Sequence, residues 1–205
     1  MNKSYAFLCK YSNIKYACLA NFKKNKIFYI ICLILCLIGL FTGIFVAFKS
    51  GITVSTLNDY NLYYYTSLDL ASFGLFFTRL LSYACFLIIL SICSLNVFLV
   101  PIGIVLIAYR TYLAGFNCCI LISLFGVSGA ITSIIIIFPF QLIITFLLIL
   151  YFALMINRSE QKKKFGYCLI KFWKTYLIFF AILTIVNLLE TILLIVLNAG
   201  TIFVL

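Results

Sequence analysis

The chain contains no histidine and only four carboxylates: Asp59, Asp69, Glu160 and Glu190. Histidine is the usual proton-transfer group near neutral pH and the commonest metal ligand, so both roles lose their first candidate. The four acids form no close pair in the sequence, which removes the usual acid–base equipment for cutting sugar or peptide bonds. Charge of either sign is scarce, at 9% of 205 residues, against about 25% in soluble domains. That is too little to cover a soluble globule, and the hydrophobicity excludes a disordered chain. Proline occurs only twice, so long helices meet few breaks. Nine cysteines are present, but none forms a Cys-x-x-Cys pair, so a metal or redox centre is not expected. The segment 49–79 carries none of them, and thiols in lipid act as small apolar residues. No cofactor and no catalytic residue is expected.

What is there is apolar: 66% of residues are hydrophobic, against about 45–50% in soluble domains. A bilayer crossing takes roughly 20 mostly apolar residues. Such runs lie at 27–48, 80–99, 101–124, 131–156 and 175–198. The fold class expected is therefore all-α, a polytopic transmembrane helical bundle of about five spans forming a single integral membrane domain. Asn96 and Pro101 place a tight turn between the second and third spans, though with no charge between them the two could also form a re-entrant pair. Phe125-Gly126-Val127-Ser128-Gly129 reads as a turn between the third and fourth. Pro139 interrupts the fourth span and predicts a kink there, with Gln141 beside it to satisfy freed backbone or another helix.

Charge sets the expected orientation. The segment 1–26 holds Lys3, Lys10, Lys15, Lys23, Lys24 and Lys26 and no acid. The segment 157–174 holds Arg158, Lys162, Lys163, Lys164, Lys171 and Lys174 against Glu160. Five spans starting inside put both segments in the cytoplasm, as the positive-inside bias requires. The expected location is the cell membrane, with a cytoplasmic N-terminus and an extracytoplasmic C-terminus. The net charge of +11 is thus a topology signal, and nucleic acid is not an expected partner. The first apolar run exceeds a signal-peptide core and no Ala-x-Ala site follows, so a cleaved leader is not expected. The residues before it read equally well as a basic, aromatic segment on the membrane or as a cytoplasmic tail. The segment 49–79 is the outer one. Its second half, 67–79, mixes Leu68, Phe73, Phe76 and Phe77 with Asp69, Ser72 and Arg79, and reads as an interfacial helix or as the start of a long tilted span. Asn157-Arg158-Ser159 matches a glycosylation sequon but falls on the cytoplasmic side.

Two charged residues fall well inside spans, Arg110 and Glu190. An unpaired charge there costs at least about 2.5–3.5 kcal/mol, which predicts an Arg110–Glu190 ion pair joining the third and fifth spans. Separate snorkelling of the arginine, or a neutral Glu190 bonded to Asn187 or to a neighbouring helix, are the alternatives. Gly39 and Gly43 form a Gly-x-x-x-Gly pair that allows close helix packing.

The order of these features carries a resemblance. Gly39-Leu40-Phe41-Thr42-Gly43 closes an aromatic-rich first span. Arg110-Thr111-Tyr112-Leu113-Ala114-Gly115-Phe116 lies in the third, Phe138-Pro139-Phe140-Gln141 in the fourth and Leu188-Leu189-Glu190 in the last. Over about residues 17–200 the chain resembles the stage II sporulation protein M family of bacterial polytopic membrane proteins. Many relatives in the broader family carry Pro-His-Gly followed by a glutamate in the fourth span. Here Phe140 and Gln141 follow Pro139, so any role of that polar pair does not transfer. The resemblance implies a non-enzymatic scaffold that recruits peptidoglycan-degrading partners, the stage II sporulation proteins P and D, during forespore engulfment. Membrane lipid and other membrane proteins are then the partners, and no small-molecule substrate is expected. The competing reading is a permease-like subunit in which Arg110, Gln141 and Glu190 line a polar path. No internal repeat of the kind transporters use is visible, and an intramembrane enzyme lacks a nucleophile–base pair.

Overall fold

A computed structural model describes residues 25–50, 74–160 and 165–199. The lysine-rich residues 1–24, most of the outer segment, residues 161–164 and the last six residues lie outside the described part. The described chain is helical. Helix α1 spans Lys26–Ser50 and α2 spans Gly74–Cys93. A 3₁₀ turn at Val97–Leu99 leads into α3, Val100–Thr132, which is broken at Gly126. A π-helical stretch at Ser133–Ile137 leads into α4, Phe138–Glu160, and α5 spans Phe165–Ala199. Five helical stretches are long and apolar enough to cross a bilayer: Lys26–Lys49, Phe76–Cys93, Val97–Ser123, Gly129–Asn157 and Trp173–Leu194. The protein is a multi-pass helical membrane protein.

The turns follow from local chemistry. After Cys93 the chain reverses through Ser94–Asn96, and the Asn96 side chain accepts from the Phe98 backbone N–H at 3.1 Å. This caps the 3₁₀ turn, and Pro101 sits in the first turn of α3, where its missing donor matters least. At Gly126 the backbone adopts φ 57°, ψ −125°, a conformation open to glycine and strained for other residues. The expected break between spans three and four is therefore there. Pro139 cannot donate to the helix ladder, and the π-helical stretch Ser133–Ile137 occupies the turn before it. Hydroxyls inside the spans bond to their own helix: Thr42 to the Ile38 and Gly39 carbonyls, Ser82 to Thr78, Thr184 to Phe180 and Thr191 to Asn187.

Three boundaries differ from expectation. The second span ends at Cys93 and not near residue 99, and Val97–Leu99 already leads the third. The second span begins at Gly74 and not near residue 80, so 74–79 belongs to the crossing helix; residues 67–73 lie outside the described part. Helix α5 begins at Phe165, well before residue 175, because backbone hydrogen bonding does not stop where the apolar run does. At 1.5 Å per residue it is about 52 Å long and overshoots a hydrocarbon core of about 30 Å.

Neighbouring spans alternate in direction, as contacts along their length show. Gly39 of α1 faces Ala108 of α3, and Gly43 faces Tyr112 and Phe116, so α1 and α3 run parallel. Gln141 of α4 bonds to Arg110 and Glu190, while further along α4 Tyr151 meets Phe179 and Phe152 meets Gly103. Helix α4 therefore runs opposite to α3 and α5. Ser91 of α2 bonds to Tyr151 at 2.5 Å and Tyr83 bonds to Arg110, so α2 runs with α4.

Helix α4 is the most buried of the five spans. Its Ile144, Leu148, Tyr151, Phe152 and Met155 centre a core with Leu87, Leu90, Ile107 and Leu183. A second apolar cluster joins Ala47, Phe116, Ile120, Leu121 and Ile137. The outward faces remain apolar, including Phe41, Phe45, Ile134, Ile135, Phe146 and Ile185, as lipid contact requires.

Candidate functional site

A polar chain is drawn from four helices. Arg79 and Tyr83 come from α2, Arg110 from α3, Gln141 from α4, and Asn187 and Glu190 from α5. Arg79 Nη1 stands 2.9 Å from Glu190 Oε1, with side chains 12% and 0% exposed. Gln141 Nε2 donates to the same carboxylate oxygen at 3.4 Å. The Gln141 carbonyl in turn accepts from Arg110 Nη2 at 3.2 Å. The same nitrogen donates to the Tyr83 hydroxyl at 3.1 Å. The Arg110 guanidinium lies 4.8 Å from the Tyr83 ring centre and 5.9 Å from that of Phe86, placements suited to cation–π attraction. The order is thus Tyr83–Arg110–Gln141–Glu190–Arg79.

The expected Arg110–Glu190 pair is corrected in its partner. Glu190 takes Arg79 directly, and Arg110 reaches Glu190 through Gln141. The reason is geometric. Arg79 lies in the opening turns of α2, which runs opposite to α5 and so brings its start beside the far part of α5. Arg110 sits midway along α3, where Gln141 of the antiparallel α4 meets it first. Arg79, read with the outer segment from the sequence, stands inside α2 with its side chain turned to the bundle. Asn187 does not turn to Glu190 either: its Nδ2 donates to the Phe76 carbonyl at 3.1 Å.

Arg79 and Tyr83 are the residues that sequence reasoning missed. A signal was present: positions 79, 83, 87 and 90 share one helical face, and Tyr83, Leu87 and Leu90 are buried. Extending the apolar face backward by one turn would have put Arg79 on it.

Gly39, Gly43 and Gly115 form the α1–α3 seam. A Cβ on Gly43 would collide with the Tyr112 carbonyl, and one on Gly39 with the Ala108 carbonyl. One on Gly115 would stand 2.5 Å from the Leu40 carbonyl. The Gly-x-x-x-Gly face is therefore used inside this chain.

The described cysteines are free, with Cys32, Cys93 and Cys119 buried. Among the described residues no group of histidine, cysteine or acid side chains is placed to hold a metal ion. The arrangement can bind helices together and present guanidinium and hydroxyl donors within the membrane. No family model, no curated protein and no solved structure matches the chain.

Proposed function

We propose that this protein is a non-enzymatic scaffold of the cell membrane, with its N-terminus in the cytoplasm and its C-terminus outside. The observation that carries the reading is the Arg79–Glu190 ion pair with its Gln141–Arg110 extension. Polar side chains inside the spans are joined in one hydrogen-bonded chain across α2, α3, α4 and α5. They act as ties between helices, as buried polar groups in membrane bundles commonly do. The whole sequence holds no histidine and few acids, so chemistry on substrates is left to partners.

The resemblance to the stage II sporulation protein M family makes those partners peptidoglycan-degrading proteins similar to stage II sporulation proteins P and D. Their recruitment would serve forespore engulfment. Deleting the gene in a sporulating host and imaging engulfment tests this. The expected result is stalled engulfment with the hydrolases no longer held at the engulfing membrane. Normal engulfment with correctly placed hydrolases overturns it.

A second reading, a permease-like subunit, draws on the same polar chain crossing the bundle interior. It requires solute flux in reconstituted vesicles that Gln141→Leu abolishes.

A further inference from the structure

We infer that Arg110 and Tyr83 form an intramembrane binding site for a single monovalent anion. The first ground is charge. A guanidinium is a cation with donors only and no acceptor. Arg79 is met by the Glu190 carboxylate, whereas among the described residues Arg110 meets only neutral oxygens, those of Tyr83 and Gln141. Among the side chains described the one carboxylate is that of Glu190; α4 ends at Glu160, far along the helix from Gln141 near its start. Among the described residues the polar chain therefore carries one positive charge in excess. In a medium where one uncompensated cation costs at least about 2.5–3.5 kcal/mol, an anion belongs beside it.

The second ground is the set of free donors. Arg110 Nε is buried with no partner among the described residues. The Tyr83 hydroxyl accepts from Arg110, so its own proton remains to be given, and the side chain is 1% exposed. Two buried donors on groups already in hydrogen-bond contact define a site for an acceptor. Aromatic rings cover the guanidinium, which leaves its in-plane N–H edge for the ligand. Glu190 Oε2 and Asn187 Oδ1 are also buried and unpartnered. They are acceptors on α5, and Gln141 stands between the carboxylate and Arg110.

Water-borne chloride and the phosphodiester of an anionic lipid share the required chemistry. The full-length protein in phosphatidylcholine nanodiscs is unfolded thermally while gluconate is replaced by chloride at constant ionic strength. A second arm keeps gluconate and adds phosphatidylglycerol to the nanodisc. A ligand of the folded state raises the midpoint with its concentration. The expected result is a rising midpoint in one arm, which names the source. Tyr83→Phe and Arg110→Lys keep the bulk and the charge respectively, and each should weaken the apparent affinity about tenfold or more. A flat midpoint in both arms overturns the proposal, as does a wild-type response in both variants. So does a response seen only in Asp59→Asn/Asp69→Asn, which would make an aspartate the counter-charge.

Discussion

At the scale of single residues, the buried carboxylate matters most. Glu190 is fully enclosed, and Arg79 beside it is nearly so. Removing one member of a buried pair leaves the other without its counter-charge and typically costs about 3–5 kcal/mol. Glu190→Gln and Arg79→Gln should each destabilise on that order. Arg79→Gln/Glu190→Gln should lose less than the two single losses added together, because no orphan charge remains. Denaturant or thermal unfolding of the four proteins in one lipid system measures the coupling. Gly126 is a different kind of residue-scale commitment. Nothing lies within 4 Å of where its Cβ would be, so space is not the issue. The positive φ is, and Gly126→Ala should cost about 1–3 kcal/mol in the same assay through backbone strain alone.

Between helices, close approach decides. Helix α1 lies along α3 more extensively than any other pair of elements, and this depends on glycines whose absent side chains leave room for carbonyls. The obstacle at Gly43 is the backbone of Tyr112, which cannot rotate away. Gly43→Ala should therefore separate α1 from α3 and cost about 1–3 kcal/mol. Gly103 offers a contrast. A Cβ there meets the far end of the Phe152 ring, which can tilt, so Gly103→Ala should be the milder change. A cysteine cross-link engineered between α1 and α3 should form readily in wild type and Gly103→Ala, and poorly in Gly43→Ala.

The molecule as a whole is a bundle of spans alternating in direction around α4. With five crossings, the turn at Leu95–Asn96 and the end of α4 share a side, and the break at Gly126 lies on the other. Single cysteines placed on a cysteine-free background at Asn96, Val127 and Asn157 test this. A membrane-impermeant maleimide added to intact cells should label Val127 and spare Asn96 and Asn157. Labelling of Asn96 from outside would reverse the orientation or make spans two and three re-entrant.

Much of this architecture was legible before any coordinates. A bilayer demands long apolar runs with internally satisfied backbones, and such runs announce themselves in one dimension. Five of them, the turns at Asn96 and Gly126, and the importance of Arg110, Gln141 and Glu190 all follow from composition and order. Partners do not. Whether Glu190 meets Arg110 or Arg79 depends on how antiparallel helices slide and rotate against each other, and no local rule specifies that. Arg79 was hidden for the same reason: it stands where the apolar run fades, and only packing against α5 turns the boundary residue into a buried ion. The sequence by itself determined that this chain crosses a membrane with almost no charge inside. Tertiary structure alone decided which charges meet, because ion pairing in lipid is settled by three-dimensional register.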